Sequence, residues 1–412
     1  MQIGKVLKQY QQIISSRSYF PLWLGQLVSN FGDTLNYVAL VVLVYRLSGS
    51  GLAVSLTVIL EIVPVLLLAP IAGVIIDRFP RKAILVISDL TRAGLIGLLI
   101  FANQTWQIYL LVACMTAVSV FFNPTLQAII PNVVGGDALL AANSVAWSTT
   151  QLVQIIASAL AGGLIATIGT TPAFGFNAVS FIFSAWMILQ LRLPVRTMIV
   201  AQPKKRGFAA WIADLRAGLK YARQDRFISR FLIIQALASL SVGATGALLI
   251  VLSQQHLHLP PEGFAWLLLV IGVGALLGPL LFGSFVQNYR NVRYLFVPYI
   301  IRGIGDILIA LLTPLPFVLV ILFIYGLNTS IGMVVYNSIM QSQVPETVRG
   351  RIYTLMDFVW NFMQLISLVL GGVFVDRLGI QTIYYIGGTL LIVTGILGLA
   401  LLGDYRFDRL PE

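Results

Sequence analysis

The chain has 412 residues, of which 58% are hydrophobic and 10% are charged, and it carries a net charge of +11. Water-soluble domains contain about 25% charged residues, so the composition excludes one large soluble fold, and it excludes intrinsic disorder because disorder needs low hydrophobicity. A single cysteine, Cys114, excludes an internal disulfide and a cysteine-based zinc site, and two histidines are too few for a histidine-rich metal centre.

Twelve apolar runs follow one another along the chain, and each is long enough to cross a bilayer, which takes about 20 mostly apolar residues. Runs of this length are helices, because barrel strands would have about ten residues with strict alternation. The sequence therefore predicts an all-α polytopic membrane protein with twelve transmembrane helices. Their approximate limits are 21–45, 52–76, 83–102, 107–130, 142–168, 172–190, 231–254, 264–287, 294–312, 316–337, 354–375 and 382–402.

Lysine and arginine are distributed unevenly between the connecting segments. If the N-terminus is cytoplasmic, the outer loops hold only Arg46 and Arg377, and Arg92 and Arg302 lie inside runs. All other basic residues then lie on the inner side, as the positive-inside rule requires. This bias predicts a multi-pass protein of the plasma (inner) membrane with both termini cytoplasmic. The basic surplus favours anionic lipid, at about 1 kcal/mol per residue, over nucleic acid.

The longest connecting segment divides the runs into six plus six. We therefore expect an N-terminal bundle at 1–190, a cytoplasmic linker at 191–230 and a C-terminal bundle at 231–412. The second half of the linker reads FAAWIADLRAGLKYARQDRF, with Trp211, Leu215 and Leu219 on one face. This pattern predicts an amphipathic helix on the inner membrane face.

The two halves repeat each other. Gly73 and Arg92 are nineteen residues apart, as are Gly283 and Arg302. Three further residues recur in the same order at an offset of 214: Asn123, Gln127 and Pro131 match Asn337, Gln341 and Pro345. Repeated six-helix halves place a substrate site near the midplane between them, so the duplication predicts a secondary transporter.

The segment after the second run reads GVIIDRFPRK, and it resembles the signature loop of the major facilitator superfamily, G-x-x-x-D-R-x-x-R-[RK]. The resemblance covers essentially the whole chain and implies two pseudo-symmetric six-helix bundles in the major facilitator fold. The stretches NFGDTLNYVALVVLVYRLSGS, SDLTRA and VPETVRGR resemble the drug-antiporter branch that contains macrolide-efflux and siderophore-export proteins. This branch implies transport by alternating access, with no cofactor and no enzymatic activity.

Three departures from the family patterns leave export and proton coupling open. The second-half copy of the signature has Gln287 in place of the aspartate. The fifth run reads SALAGG, so Ser158 and Ala159 replace the glycine and proline of the antiporter motif. The fourth-helix arginine of proton-coupled drug antiporters is missing, because 110–123 carries no charge.

The resemblance assigns Gly73, Asp77, Arg78 and Arg81 to a conformational gate. In the family this loop packs against the inner end of the eleventh helix, where the helix macrodipole stabilises a carboxylate. Arg349 and Arg351 just precede that helix and are candidate partners of Asp77. The alternative is that the basic residues, Lys82 included, serve only to orient the chain in the membrane.

Charged residues inside the runs are functional candidates, because each costs about 2.5–3.5 kcal/mol at the bilayer centre. Asp33 lies about 18 Å along the first helix, near the midplane, and Glu61 lies at mid-depth in the second. We predict that Asp33 and Glu61 couple transport to protons. The alternative for Asp33 is a structural hydrogen bond between the first two helices. Asp89 with Arg92, and Arg302 with Asp306, are predicted to form self-neutralising pairs on peripheral helices.

Polar and aromatic side chains form stripes along several runs, and these stripes predict a wet cavity for an amphipathic solute. The alternative for each residue is a hydrogen bond between helices, at about 0.6–2 kcal/mol. The cavity residues predicted are Gln26, Asn30, Tyr37, Trp147, Gln151, Gln154, Gln235, Tyr325, Asn328, Trp360, Asn361 and Gln364.

The sequence predicts a secondary active transporter, most simply a monomeric, proton-coupled exporter of small drug-like or siderophore-like compounds. Uptake or lipid flipping by the same fold is the alternative, followed by a non-transporting receptor or scaffold. No nucleotide-binding P-loop, Ser-His-Asp set or metal-ligand cluster is evident in the sequence, which argues against an enzyme or an ATP-driven pump.

The gate hypothesis predicts that Asp77→Asn slows transport and favours the inward-open form. Loss of a carboxylate from a helix terminus changes such an equilibrium about two- to fivefold. Transport rate and the inner-side accessibility of introduced cysteines measure the effect. If both are unchanged, the latch at Asp77 does not exist.

Overall fold

The computed structural model describes residues 16, 19–134, 139–191, 208–260, 263–285 and 293–403. Every regular element in this part of the chain is a helix, and twelve of them match the predicted runs in order. The helices are α1 (Tyr19–Ser48), α2 (Gly51–Arg78), α3 (Arg81–Leu99), α4 (Thr105–Val134), α5 (Leu139–Ile168), α6 (Thr171–Leu189), α7 (Phe208–Gln224), α8 (Arg226–Ala247), α9 (Leu249–Val251), α10 (Gly263–Phe285), α11 (Arg293–Leu311), α12 (Leu315–Gln343), α13 (Glu346–Leu378) and α14 (Ile380–Leu402).

Ten helices within the described residues are long and apolar enough to cross a membrane. Of the other two that match predicted runs, α3 carries four charged residues, and α10 contributes a shorter apolar stretch, Gly263–Gly278. Large apolar side chains are exposed on the surface, among them Leu67 and Ile87. Lipid rather than water suits such a surface, and the predicted all-α polytopic membrane fold is confirmed.

Two helices begin well before their apolar runs, and in one of them a side-chain cap explains the extension. The α8 helix begins at Arg226, since the Asp225 carboxylate accepts a hydrogen bond from the Ile228 backbone N at 3.0 Å and caps the first turn. The α13 helix begins at Glu346, so Arg349 and Arg351 lie within its first turns rather than before it.

The end of the seventh run also differs from an ordinary outer loop. A π-helical turn spans Leu252–His256, and the His256 side chain is buried. Its Nδ1 lies 2.7 Å from Gln381 Nε2 at the start of α14. This histidine therefore packs between helices, which the sequence did not predict.

The chain divides into two compact units. The first contains the described parts of Met1–Leu43 and Val63–Ala210, and the second contains those of Val44–Ile62 and Trp211–Glu412. The α2 helix therefore begins in the second unit and ends in the first, with Pro64 and Pro70 inside it. The predicted domain limits, 1–190, 191–230 and 231–412, stay a prediction.

Each unit has its own apolar core. In the first unit α1, α3, α4, α5 and α6 contribute Tyr19, Leu85, Phe122, Ala142 and Ile188. The larger core of the second unit is built from α8 and α11 to α14, with Phe231, Phe296, Met340, Ile352 and Leu402 among its members.

The linker helix α7 packs on the second unit. Ala222 belongs to its core, and the Trp211 ring meets the Phe358 ring edge-on at a centroid distance of 5.5 Å. Arg351 Nε lies 3.2 Å from Asp214 Oδ1. The predicted apolar face is therefore directed at α13, although Leu219 remains partly exposed.

Close backbone contact joins α10 to α12 in the second unit. A Cβ atom on Gly274 would overlap the Phe323 carbonyl oxygen, and one on Gly326 would overlap the Ile271 carbonyl oxygen. The Gly274-x-x-x-Gly278 sequence has the spacing of small residues that allows close helix packing, and α10 and α12 make such a contact.

We predict that Gly326→Ala destabilises the protein by about 1–3 kcal/mol, because the added methyl group forces α10 and α12 apart. Gly332→Ala is the matched control on the same helix, since a Cβ there meets no atom within 4 Å. Thermal unfolding in detergent should show a lower midpoint for Gly326→Ala alone. Equal midpoints would contradict the close contact.

Candidate functional site

Three charged side chains share one buried region of the first unit. On α3, Arg92 Nη2 forms an ion pair with Asp89 Oδ1, and the two side chains are 7% and 0% exposed. The Arg92 guanidinium also interacts electrostatically with Asp33 on α1. The pair predicted within α3 is present and buried, while the other side of α3 exposes apolar side chains such as Ile87 and Leu90.

A polar stripe on α6 contacts two polar residues of α1, Asp33 and Gln26. Asn177 Nδ2 donates to Asp33 Oδ1 at 3.2 Å, and the Ser180 hydroxyl donates to Asn177 Oδ1 at 3.0 Å. The Ser184 hydroxyl accepts from Gln26 Nε2 at 3.4 Å. The partner of Asp33 is therefore on the sixth helix, not on the second as the structural alternative supposed.

The approach of α1 to α6 depends on a glycine. A Cβ atom on Gly32, next to Asp33, would lie 2.5 Å from Asn177 Oδ1 and from the Ser180 hydroxyl oxygen. Any other residue at position 32 would displace the side chains that hold Asp33. Gly32 therefore contributes to the site because it has no side chain, which leaves room for Asn177 and Ser180 beside α1.

Aromatic rings fix the arginine. The Arg92 Cζ atom lies 4.1 Å from the centroid of the Phe122 ring on α4 and 4.3 Å from that of the Phe181 ring on α6. Desolvated cation–π contacts of this kind contribute about 2 kcal/mol or more. Two polar atoms of the cluster, Asp89 Oδ2 and Arg92 Nε, are buried without a hydrogen-bond partner in the described structure.

The residues Asn177, Ser180 and Ser184 were missed at the sequence level. All three are essentially fully buried. Their spacing of three and four residues places them on one face of an otherwise apolar helix. This polar stripe in the sequence could have identified the three residues, because it is as regular as the stripes on the first and fifth runs from which cavity residues were predicted.

Glu61, the second predicted proton site, belongs to the second unit, whereas Asp33 belongs to the first. Its side chain is half-buried on α2. Among the described residues it has no hydrogen-bond or ion-pair partner.

Arg302 and Asp306 on α11 do not form the predicted ion pair, since no nitrogen–oxygen distance between these two described residues is within 4.0 Å. Arg302 Cζ instead lies 3.9 Å from the centroid of the Tyr325 ring on α12. The guanidinium of Arg302 therefore contacts the face of the Tyr325 ring rather than the carboxylate of Asp306, which lies one turn further along α11. Both residues line a cavity of about 140 Å³, together with Tyr325 and Asn328.

Other predicted cavity residues also form hydrogen bonds with the protein, Asn30 and Gln235 to neighbouring helices and Asn361 within its own helix. In the first unit Asn30 Nδ2 donates to Thr150 Oγ1 at 3.3 Å. In the second unit the Tyr299 hydroxyl donates to Gln235 Oε1 at 2.7 Å, and Asn361 Nδ2 donates to the Asp357 carbonyl oxygen at 2.8 Å.

The remaining predicted cavity residues are divided between the units, and the Trp147 side chain lies outside the described residues. A single cavity formed by both sets stays a prediction. In the first unit these residues are Gln26, Tyr37, Gln151 and Gln154, and in the second they are Tyr325, Asn328, Trp360 and Gln364.

The gate region is described in part. The surroundings of Gly73 and the Asp77 side chain lie outside the described part of the structure, and Arg78 is exposed. Arg81 Nη1 donates to the Ala128 carbonyl oxygen of α4 at 2.8 Å. This bond within the first unit gives Arg81 a structural role, and its role in the gate stays a prediction.

The basic residues around the gate also have partners. Lys82 Nζ donates to the carbonyl oxygens of Leu189 and Leu191 at 2.6 and 2.9 Å, where it offsets the negative end of the α6 dipole. Arg351, a candidate partner of Asp77, is paired with Asp214, and its contact with Asp77 stays a prediction.

We predict that Arg92→Gln destabilises the protein by about 3–5 kcal/mol, because it leaves the buried Asp89 carboxylate without its cation. Adding Asp89→Asn removes that charge and should restore part of the loss. Thermal unfolding of the single and double variants measures the coupling. Strictly additive destabilisation would contradict the buried ion pair.

The sequence of this chain is similar to those of known membrane transporters. A family model described as "Transmembrane secretion effector" matches residues 14–403. The chain is 21% identical over 385 residues to macrolide efflux protein A of Streptococcus pyogenes, covering 92% of this chain and 94% of that protein. It is 26% identical over 399 residues to the multidrug efflux pump Tap of Mycolicibacterium fortuitum, covering 91% and 93%.

Among solved structures, the fold is similar to that of the nucleoside transporter NupG. The TM-score is 0.73 at 15% sequence identity, over 93% of this chain and 100% of that chain. The helices therefore adopt the major facilitator fold, and both family and fold are those of transporters rather than enzymes. The chain belongs to the transmembrane secretion effector family of the major facilitator superfamily.

Proposed function

We propose that the protein is a proton-coupled exporter of small amphipathic compounds that works by alternating access. Export is favoured by the similarity to an efflux protein for macrolides and to a multidrug efflux pump, both matched over more than nine-tenths of this chain. Transport itself follows from the family. The direction of transport, its coupling to protons and the class of substrate are what we propose.

The observation that carries proton coupling is the charge balance around Arg92. Asp89 is paired with Arg92, and Asp33 interacts electrostatically with the same guanidinium, so the three groups have a net charge of −1 when both carboxylates are ionised. A net charge inside the membrane is costly, and one bound proton removes it. The cluster is thus suited to carry one proton while it is closed to water and to release it when water enters.

Asp33 is the carboxylate that exchanges this proton in our proposal. Asp89 is fully buried and paired with Arg92, whereas Asp33 is only half-buried and accepts one hydrogen bond, from a neutral amide. Glu61 is proposed as a second proton site, because it lies at mid-depth on α2 without a cationic partner. Each proton that moves through 100 mV supplies about 2.3 kcal/mol for transport.

The substrate class is inferred from side chains on both units. Aromatic rings such as Tyr37, Trp147, Tyr325 and Trp360 offer apolar area, and Gln151 and Gln364 offer hydrogen bonds. Such a set suits a compound with an apolar body and a few polar or cationic groups. We propose that both termini face the cytoplasm, as the distribution of basic residues indicates, and that the protein works in the plasma membrane as a monomer.

Reconstitution in liposomes tests this proposal. With an imposed pH gradient, fluorescent amphipathic cations should be transported against their own gradient by the wild-type protein. In Asp33→Asn we expect the dependence on the pH gradient to be lost, because the carboxyl can no longer bind and release a proton. Exchange of labelled for unlabelled compound, which needs no net proton movement, should continue.

Asp214→Asn is the matched control, because it removes one aspartate from the exposed surface of α7. It should keep gradient-driven transport. If Asp33→Asn concentrates the compound as well as the wild type does, or if wild-type flux ignores the pH gradient, the proton-coupled mechanism is wrong.

A further inference from the structure

A carboxylate at the end of one helix caps the beginning of another in the second unit. Asp376 lies in the last turn of α13, and Gly51 is the first residue of α2. Asp376 Oδ2 accepts from the Ser50 hydroxyl at 2.7 Å, and Asp376 Oδ1 accepts from the Gly51 backbone N at 3.1 Å. Both oxygens of one carboxylate are therefore used at this helix terminus.

The first turn of α2 needs such a partner. The first four backbone N–H groups of a helix have no acceptor within it, and its N-terminus attracts negative charge. The first turn of α2 contains no acidic residue. Asp376 supplies that charge from a segment more than 300 residues away in the sequence.

The two helices pack closely next to this cap. A Cβ atom on Gly372 would lie 2.8 Å from Ser55 Cβ, and Ser55 is fully buried. The end of α1 is held nearby, since Gln255 Nε2 of the π-helical turn donates to the Tyr45 hydroxyl at 3.3 Å. The contact between α2 and α13 thus consists of an exposed polar cap and a buried small-residue interface.

The residues around Asp376 repeat the signature of the gate. Gly372-x-x-x-Asp376-Arg377 has the spacing of Gly73-x-x-x-Asp77-Arg78. Each copy lies at the C-terminal end of a spanning helix, α13 in one case and α2 in the other. The family resemblance assigns the gate role only to the Asp77 copy.

We propose that Asp376 is a second gate residue, whose cap on α2 holds this end of the protein closed and breaks when it opens. The inference rests on the alternating-access mechanism proposed above. The cap is suited to reversible use because Asp376 is exposed, so water can replace its two hydrogen bonds. The buried interface behind it, at Ser55 and Gly372, becomes accessible when the cap is released.

Chemical labelling measures this opening. In a Cys114→Ser background, Ser55→Cys places one thiol in the interface, and the Ser55 hydroxyl has no hydrogen-bond partner among the described residues to lose. A membrane-impermeant maleimide should label it slowly. Asp376→Asn should raise the labelling rate about two- to thirtyfold, the range expected when a helix N-terminus loses its carboxylate partner.

Arg377→Gln is the matched control, because it removes a neighbouring exposed charge that makes no contact with the cap; it should label at the parent rate. Ser50→Ala removes one donor and should raise the rate by a smaller factor. In the double variant with Asp376→Asn, Ser50→Ala should raise the labelling rate by a smaller factor than it does alone. If Asp376→Asn does not fold, the labelling rate of Ser50→Ala tests the proposal in its place.

The proposal is overturned if a folded Asp376→Asn protein, monodisperse on gel filtration, labels at the parent rate, or if Arg377→Gln raises labelling equally. Ser50→Ala labelling at the parent rate would also count against it. Labelling requires neither substrate nor a proton gradient. A protein that shows the labelling change but no proton-driven transport would keep the second gate and refute the proposed coupling.

Discussion

The interaction on which the buried polar region of the first unit depends is the ion pair between Arg92 and Asp89, which is almost completely shielded from solvent. The rings of Phe122 and Phe181 hold the guanidinium in place. The stripe on α6 and the small residue at position 32 position Asp33 on α1. The packing of these helices therefore determines the surroundings of both carboxylates.

The second unit repeats the sequence positions of the first, but its arginine makes different contacts. Arg302 occupies the position that matches Arg92, but it stacks on Tyr325 and leaves Asp306 without an ion pair. The second unit also contains the linker helix, the α10–α12 interface and the cap on α2. The two units therefore differ in their polar contacts: the first holds the cluster proposed to bind a proton, and the second holds the cap proposed as a second gate.

Much of the fold could be predicted from the sequence, because a bilayer imposes a minimum length and an apolar composition on every spanning helix. Helix ends were less predictable, since Asp225 extends α8 by a cap that periodicity does not reveal. The site was predicted in part. Asp33, Asp89 and Arg92 stand out as charges, but their association and the role of Asn177 depend on which helices pack together. The same limit applies to Arg302, whose choice of Tyr325 over Asp306 is a matter of tertiary geometry.

The membership of α2 in both units has a mechanical consequence. The boundary between the units lies after Ile62, and Pro64 follows two residues later. Proline has no backbone N–H, so the Leu60 carbonyl loses its usual helical partner, and the proline ring favours a kink. The α2 helix is thus weakened near the residue after which it passes from one unit to the other. Bending at this point would let the two parts of α2 change direction independently, and Glu61 lies three residues before Pro64.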